Sequence, residues 1–570
     1  MGVWGRLSST IPDAWSVAPH DLRPVDSSLA DDFYAGRYWF NNLGKETGGE
    51  SPFAITPPSA NWQRELHGFR WLRHLAAADT ELARAHGAAL LQDWIALCGS
   101  PTKSSVWHPE TLSMRLIAWS AHAPILLRRA DRETSRAVRK SLGRQSRYLQ
   151  NELSTLPANE VRLHASIALV HSCICLTRNL KVIRQAVRDL DKEISRQILT
   201  DGGHISRNPS VLVDLLVDLI PLQSAFSAIG VNLSSASLGA IDRMSAALRF
   251  FRHSNGELAT FNGTGETSIE LLNTVLARSE FSDGYENKIQ QSAPLTGYER
   301  MAAENTVVLM DTGTPTSRPA STRALAGSLS FELSSGKNIF IMNCGMPGMG
   351  FESYIPFARS TAAHSTAVVA DTSSSRYALD SGMRDFLPSA LLSAPQTVTS
   401  QRREEGEFCE VNASHDGYAE QFRLVHRRVL QLSKDGKTLN GADRFEAVGK
   451  PQNSNPEQPV ALRFHMPPGI SASLLSSGHS ILLAASDREA WTFTCVDAPI
   501  SLEESIRFSG FEGPRKSEQI VVTADTARNP EIRWVLNRRE KKQSSRQRKN
   551  TDGEPNLLSG LDAPGMMFEK

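Results

Sequence analysis

The chain has 570 residues, of which 22% are charged and 40% hydrophobic, and its formal net charge is +1. A chain of this length exceeds one ordinary hydrophobic core, so we predict two or three soluble globular domains. The near-neutral charge provides no overall field that selects nucleic acid or anionic membranes, and no nucleic acid is expected as a partner. The sequence contains no run of about 18 apolar residues, and therefore no transmembrane helix is predicted.

The cysteines and the N-terminus narrow the class of protein further. Six cysteines are scattered without a CxxC pair, which predicts reduced thiols and neither a disulfide framework nor a zinc knuckle. Met1–His20 has no continuous apolar core of signal-peptide length, so the default expectation is a cytoplasmic protein. The absence of a GxSxG elbow, a P-loop and a Rossmann fingerprint argues against serine hydrolases, nucleotide-binding proteins and dehydrogenases.

Helical periodicity dominates the first half of the chain. Residues 1–58 are expected to form an irregular leader, and residues 59–290 a helical domain that begins at a Ser59 cap. Apolar residues then recur at helical spacing at Trp62, Leu66, Phe69, Leu72 and Leu75. Eight of the ten tryptophans precede residue 120; we predict core positions for most, with sugar stacking as the alternative for one or two. Many medium-length helices predict antiparallel helix pairs.

Strand patterns replace the helical ones over residues 295–525. Gly327–Ser335 alternates strictly, with Leu329, Phe331 and Leu333 on one face, which predicts a half-buried strand. Lys337–Met342 follows a Ser-Gly turn and predicts a hairpin, and further short strands indicate an antiparallel sandwich. The basic tail, residues 537–570, is expected to be disordered and solvated, with contact to an acidic polymer or nucleic acid as the alternative.

One polar segment, Asp201–Ser210, combines two glycines with groups suited to chemistry. His204, Arg207 and Asn208 provide a proton-transfer group, a permanent cation and an amide within five positions. These groups suit a carboxylate-bearing substrate. The structural alternative is a helix cap, with Asn208 as N-cap and Pro209 as the first helical residue.

Phrases spread over residues 30–525 resemble the heparinase II/III family. They are residues 62–72, 202–209, 325–336, 343–345, 359–366 and 415–418, and their order matches the change from helix to strand. The resemblance implies an α+β multidomain protein, with an N-terminal incomplete (α/α) toroid followed by a C-terminal antiparallel β-sandwich domain. It also implies a polysaccharide lyase that acts on uronate polymers such as glycosaminoglycans, without a cofactor. Family members are typically exported, which would place this chain in the cell envelope or periplasm.

The chemistry that the resemblance implies is β-elimination beside the uronate carboxylate. An amide or a cation must stabilise the developing enolate, a base must remove the proton, and an acid must protonate the leaving oxygen. The family uses an Asn, a Tyr and His residues. Asn159 matches, but Glu160 occupies the position of the expected histidine, and Ser210 and Val211 stand where a tyrosine is expected. Tyr298 is predicted to start a strand rather than to replace that tyrosine.

The strand domain departs from the family pattern as well. Arg323 stands where a catalytic histidine is expected, and a guanidinium that stays protonated is suited to anchoring a carboxylate. The positions that correspond to zinc ligands in the family are Leu325, Asn343 and His364, so no bound metal is expected. His364 is interpreted either as a buried histidine between sheets or as a residue of the cleft.

These observations predict a lyase that cleaves an acidic polysaccharide or oligosaccharide. His204 is the proposed base or acid, and Arg207, Asn208 and Arg323 would hold the carboxylate, with His364 as a further catalytic candidate. The missing tyrosine and histidines support an alternative, a catalytically degenerate glycan-binding or cell-envelope assembly protein on the same scaffold. A hydrolase, the third possibility, would require paired carboxylates in the cleft.

Overall fold

The computed structural model describes residues 14–40, 42–279, 289–316, 323–378, 391–449, 457–509 and 513–539. The first 13 residues of the leader and the basic tail beyond Arg539 lie outside these ranges. Arg538, which the sequence assigned to the tail, ends the last described strand, and its Nε lies 3.0 Å from Glu489 Oε1.

Side-chain caps set the starts of many helices in the first half of the chain. The Ser59 hydroxyl accepts a hydrogen bond from Trp62 N at 3.1 Å, as predicted, and Asn159 and Asn208 cap later helices in the same way. The described helices of this half are Leu29–Tyr34 (α1), Ala60–Gly68 (α2), Leu72–Ala78 (α3), Glu81–Cys98 (α4), Pro109–Leu126 (α5), Arg132–Glu152 (α6), Glu160–Leu176 (α7), Leu180–Gln197 (α8), Pro209–Ala228 (α9), Ser235–Phe250 (α10) and Ile269–Ser279 (α11).

These helices form an incomplete (α/α) toroid, as the resemblance implied. Successive helices pack on one another, α5 on α6 and α7, and α7 on α8. Helix α9 is long and apolar enough to cross a membrane by composition alone, with a mean hydropathy of 1.6. However, 72% of its apolar window is buried inside the fold, where α9 packs on α7, α10 and α11. It is therefore a core helix of the toroid.

The tryptophans of the helical half are mostly core residues, as predicted. Trp62, Trp94 and Trp119 have no exposed surface, and Trp94 and Trp119 pack edge to face with ring centroids 5.4 Å apart. Trp15 is half-buried, 56% of the surface of Trp39 is exposed, and Trp4 lies outside the described residues. The buried indoles form part of the core of the toroid.

The leader is more regular than the sequence predicts. Besides α1 it contains a hairpin of Arg37–Phe40 (β1) and Leu43–Glu46 (β2). The prediction of an irregular leader was wrong for this part because Phe33 and Tyr38 pack on Trp71, with ring centroids 5.1 and 5.5 Å from its ring. Tertiary contacts order a segment whose local pattern is weak.

The second half of the described chain is an antiparallel β-sandwich, as predicted. Its strands are Ser292–Ala293 (β3), Tyr298–Ala303 (β4), Thr306–Asp311 (β5), Phe331–Ser335 (β6), Asn338–Ile341 (β7), Ala367–Val369 (β8), Arg376–Tyr377 (β9), Leu391–Ser393 (β10), Val398–Glu405 (β11), Phe408–Tyr418 (β12), Leu424–Ser433 (β13), Thr438–Ala447 (β14), Pro459–His465 (β15), Ser471–Leu474 (β16), Ser480–Ala484 (β17), Ala490–Cys495 (β18), Ile500–Ser509 (β19), Gly513–Asp525 (β20) and Glu531–Arg538 (β21). Two short helices, Ile355–Arg359 (α12) and Ala419–Phe422 (α13), interrupt them.

Three larger sheets enclose the apolar core of this half. One has the strand order β3 to β7, another β19-β20-β15-β8, and the largest β11-β12-β13-β14-β21-β18-β17-β16. Phe331 of the first sheet stacks on Trp534 of the largest with ring centroids 5.5 Å apart, and Phe464 of the second contacts the same indole at 4.9 Å. The three sheets therefore share one core.

Strand β6 differs from its predicted half-burial. Its apolar residues face the sandwich core, but Glu332 and Ser334 on the opposite face are also buried. Residues between α10 and α11 of the helical half cover this face, since His253 Nε2 lies 2.8 Å from Glu332 Oε2 and its Nδ1 lies 3.0 Å from Ser334 Oγ. The polar side of the strand is therefore a domain interface and not a solvent face.

Candidate functional site

The segment predicted to hold the chemistry, residues 201–208, forms a tight turn between α8 and α9. Gly202 has a φ of 87°, and a Cβ on it would lie 2.0 Å from the carbonyl oxygen of Arg243. A Cβ on Gly203 would lie 1.8 Å from Thr296 Oγ1 in the strand domain. Both glycines therefore permit close packing within the protein.

His204 lies inside the protein with 1% of its surface exposed. Its Nδ1 lies 2.8 Å from Ser206 Oγ, and its Nε2 lies 3.0 Å from Gln197 Oε1. Burial, with a contribution from nearby His164, lowers the pKa of His204 to about 3. The imidazole is neutral at pH 7 and partnered at both nitrogens, so its predicted role in proton transfer gains no support from its position.

Arg207 connects the helical half to the strand half. Its backbone adopts a left-handed conformation with φ of 60°, and its Nε donates to Thr296 O at 2.7 Å. Its Nη2 donates to Gly297 O at 3.0 Å and to the Asp311 carboxylate, and the guanidinium lies 4.9 Å from the ring centroid of Tyr298. The Asp311 carboxylate beside the guanidinium raises the pKa of Arg207 despite the opposing effect of burial.

Asp201 makes a second connection between the halves from the same turn. Its carboxylate accepts hydrogen bonds from Leu295 N at 2.9 Å, from Thr296 N at 2.7 Å and from Thr296 Oγ1 at 2.8 Å. We call Asp201 and Arg207 the interdomain latch. Their side chains are engaged by the partner domain, and the predicted contact of Arg207 with a substrate carboxylate stays a prediction.

Asn208 is the predicted N-cap of α9. Its Oδ1 accepts hydrogen bonds from Ser210 N at 2.9 Å and from Thr264 Oγ1 at 2.8 Å. Its Nδ2 is buried and has no hydrogen-bond partner among the described residues. Gly263 lies beside this amide, and a Cβ on Gly263 would lie 3.1 Å from Asn208 Nδ2 and 2.7 Å from Arg323 Cβ. Capping is therefore established, and a catalytic role for Asn208 stays a prediction.

His364 is a buried histidine of the strand domain, one of the two interpretations that the sequence left open. Its Nδ1 lies 2.8 Å from Ser360 O, and its ring fills the space beside Gly327, where a Cβ would lie 2.7 Å from His364 Cδ2. Burial lowers its pKa to about 4. With 2% of its surface exposed, the ring does not line the cleft described below.

The positions that correspond to zinc ligands in related proteins hold other contacts here. Leu325 is buried, and the Asn343 side chain donates to Glu332 Oε1 at 3.1 Å and accepts from Ser365 N at 3.0 Å. Within the described ranges, no group of three or more His, Cys, Asp or Glu side chains is placed to hold a metal ion. These residues do not fit a zinc site, because a leucine and a fully engaged amide are not zinc ligands.

A cleft opens where the helical half meets Arg323. Its cavity has a volume of about 160 Å³ and is lined by residues of α2, α5, α7 and α9. Of the five predicted site residues, only Arg323 lines it. The charged groups and imidazole around it are Arg64, Glu65, Arg70, Glu110, Glu160, His164, Asp214 and Arg323.

The cleft contains both paired and unpaired charges. Arg64 Nη1 lies 3.4 Å from Glu110 Oε1. Arg70 and Arg323, in contrast, make no side-chain hydrogen bond or ion pair with any residue that the structure describes, and the same is true of the Glu65 and Asp214 carboxylates. These four side chains are the groups available to a bound molecule.

Proton-transfer groups are scarce in this cleft. His164 is its single imidazole among the described lining residues, and its two nitrogens lie 3.2 Å from Glu160 O and 3.2 Å from Asp214 O. Tyr298 begins β4, as predicted, and donates its hydroxyl to Arg207 O at 2.7 Å. Burial raises the pKa of Tyr298, so the phenol stays protonated and remote from solvent.

Sequence reasoning missed several residues of the cleft. Arg70, His164 and Asp214 were not singled out, although His164 closes the segment that begins at Asn159. Glu160 and His164 are four residues apart and therefore lie on the same face of α7. That spacing was the available signal, whereas nothing local indicated that Asp214 of α9 faces the same cavity.

A larger cavity, of about 700 Å³, lies on the outer face of the largest sheet. Its charges compensate one another, since Arg444 Nε lies 3.0 Å from Glu531 Oε1 and Arg533 Nε lies 3.0 Å from Asp497 Oδ2. We place the candidate site in the smaller cleft, where unpaired charges remain.

Comparisons with known proteins agree with this architecture. FtsZ-localized protein C from Caulobacter vibrioides is 29% identical over 546 residues, which cover 94% of this chain and 92% of that protein. The crystal structure of heparinase III superimposes with a TM-score of 0.71 at 15% identity, covering 94% of this chain and 88% of the other. Heparan sulfate lyase HepC from Pedobacter heparinus gives a TM-score of 0.61 at 12% identity, covering 95% and 88%.

A family model described as "Heparinase II/III-like, C-terminal" matches residues 286–535. This range contains the strand domain from β3 to β20 and most of β21. The likeness in fold extends over the helical half as well, in the same order of domains. The strand domain is therefore similar to the heparinase II/III-like C-terminal domain, and the fold of the chain is similar to that of heparinase III.

Proposed function

We propose that the protein binds a carboxylate-bearing saccharide in its cleft without cleaving it. The observation that supports this proposal is the pair of guanidiniums, Arg70 and Arg323, which have no ion-pair partner among the described residues. A guanidinium holds a carboxylate through two parallel hydrogen bonds and cannot act as a proton shuttle. The two arginines are thus suited to recognition of a uronate.

Cleavage by β-elimination, which the family resemblance implies, has weaker support. It requires a base and an acid within hydrogen-bond reach of the substrate. Both nitrogens of His164 face backbone carbonyls, and His204 and Tyr298 are buried away from the cavity. HepC is named as a heparan sulfate lyase, and the likeness in fold to HepC and heparinase III supports a glycan ligand more strongly than it supports catalysis here.

A binding measurement with variants of the two arginines tests the proposal. We expect Arg323→Ala and Arg70→Ala each to raise the Kd for an unsulfated uronate oligosaccharide about tenfold, or about 1.4 kcal/mol. The reason is the loss of one charge-assisted contact to the carboxylate. Isothermal titration calorimetry measures this change, and Arg533→Ala, on the outer face of the largest sheet, serves as the matched control.

The same mixtures are followed by ultraviolet absorbance of the unsaturated product. The proposal predicts no increase over the blank. Product formation by the unaltered protein would show that it is a lyase and would contradict the proposal of binding without cleavage. An unchanged Kd in both arginine variants would show that the saccharide does not bind in the cleft.

A second candidate function is localisation with FtsZ. It is supported by the name of FtsZ-localized protein C and by a likeness that spans nearly the whole of both chains. We expect the purified protein to sediment with assembled FtsZ polymers. Arg323→Ala should sediment equally well if this association does not use the cleft, and protein that remains wholly in the supernatant would contradict it.

A further inference from the structure

The cleft contains more negative than positive groups. Three guanidiniums and four carboxylates line it, so the charges of these seven side chains sum to −1. A site built for a densely anionic polymer would present an excess of cations instead. The unpaired carboxylates therefore require an explanation in terms of the ligand.

Glu65 and Asp214 are the carboxylates concerned. Glu65 lies on α2 and Asp214 on α9, and both are half-buried at the cavity. Neither forms an ion pair or a side-chain hydrogen bond with the described residues, although Arg70 and Arg323 line the same cavity. Arg23 and Arg73 act on Asp214 and Glu65 only at longer range, so both carboxylates can still accept a contact from a bound group of opposite charge.

We infer that the ligand of the cleft carries an ammonium group as well as a carboxylate, as in a saccharide that contains a uronate and an unacetylated amino sugar. Arg70 and Arg323 bind the carboxylate, and Glu65 and Asp214 bind the ammonium. This inference rests on the proposed function and specifies the chemical class of its ligand. Sulfate groups on the amino sugar would instead place anions against the two carboxylates.

Two oligosaccharides that differ only in acetylation of the amino sugar provide the test. The carboxylates can also accept hydrogen bonds from sugar hydroxyls, and this pair of ligands keeps every hydroxyl and the uronate constant. The measurement is made at about pH 7 and low ionic strength, where an amino group with a pKa of about 7.7–8.0 is largely protonated. Under these conditions we expect the free amine to bind about tenfold more tightly than its N-acetyl form.

Neutral variants of the carboxylates identify the contact. Glu65→Gln and Asp214→Asn should each weaken binding of the free amine and leave the Kd of the N-acetyl form within about twofold. The preference for the free amine over its N-acetyl form should therefore become smaller. Glu531→Gln, on the outer face of the largest sheet, should preserve the full preference. Because the two carboxylates lie on different helices, one folded variant is sufficient if the other is unstable.

The outcomes separate the inference from the proposed function. Equal Kd values for the two oligosaccharides would overturn the inference and leave saccharide binding in place. A preference that survives in both carboxylate variants would also overturn it. If neither oligosaccharide binds, the proposed function fails and the inference fails with it.

Discussion

Arg207→Ala is expected to destabilise the protein by about 3–5 kcal/mol, because it leaves the buried Asp311 carboxylate without its cation. The variant also removes the donors to Thr296 O and Gly297 O, which hold the strand domain against the turn before α9. Urea denaturation monitored by tryptophan fluorescence measures the change in the unfolding midpoint. Five of the nine described tryptophans are buried in the helical half, so the emission reports largely on its unfolding.

An exposed ion pair provides the control for this experiment. Arg533 is 71% exposed and pairs with Asp497 at 3.0 Å, so Arg533→Ala should cost less than about 1 kcal/mol. Similar midpoints for the two variants would show that Arg207 does not hold the halves together. If Arg207→Ala abolishes saccharide binding and leaves the denaturation midpoint unchanged, the residue acts in recognition, as the sequence suggested.

Acidification to about pH 5 is expected to destabilise the protein by several kcal/mol, through histidines that are buried in their neutral form. Burial lowers the pKa to about 3 for His67, His204 and His465, and to about 4 for His74 and His364. As the pH falls below about 6.5, the unfolded chain binds protons that the folded chain cannot accept. Each such histidine therefore removes up to about 1.4 kcal/mol per pH unit, until the pH reaches the folded pKa.

The pH range distinguishes histidines from carboxylates. The pKa of Asp443 is lowered, so its contribution to stability is retained above the unfolded value of about 4 and is lost only as the pH falls further. Denaturation midpoints recorded between about pH 7 and pH 5 thus report on the histidines and not on carboxylates of this kind. Burial raises the pKa of Glu299 and Asp311, so these two carboxylates act in the opposite direction. His204→Gln should reduce the slope by up to about 1.4 kcal/mol per pH unit, and His479→Gln, at an exposed ring, is the control substitution. A stability that is flat over this range would contradict the neutral burial of these rings.

The two halves of the fold were predictable because each has a strong local signal. Helical spacing and the Ser59 cap marked α2, and the predicted hairpin of residues 327–342 is formed by β6 and β7. The leader was not predictable, since Phe33 and Tyr38 gain their order from Trp71 in a different helical segment. Burial of Glu332 was missed for the same reason, because its partner His253 is 79 residues away in sequence.

The residues of the candidate site were likewise predictable only in part from the sequence. The segment 201–208 was correctly identified as a capped turn between helices, but its side chains face the domain interface. Arg323 was identified from its position in a family phrase, and it is the member of the predicted set that reaches the cleft. Glu65, Arg70 and Asp214 complete the set of unpaired groups, and only the meeting of α2 and the residues after it with α9 brings them to one cavity.

By itself, the sequence determined the order of a helical domain and a β-sandwich and the positions of the main caps, and it predicted departures from the tyrosine and histidine pattern of the family that it resembles. Periodicity, capping and motif identity are properties of neighbouring residues, so they can be determined from the chain alone. The tertiary structure decided that His204 and Arg207 are buried and that Arg70 and Arg323 line the cleft. Those outcomes depend on contacts such as Arg207 with Asp311, 104 residues apart, and on burial that shifts the pKa of each group. Packing between elements that are distant in sequence sets these contacts and this burial, and no local sequence pattern encodes that packing.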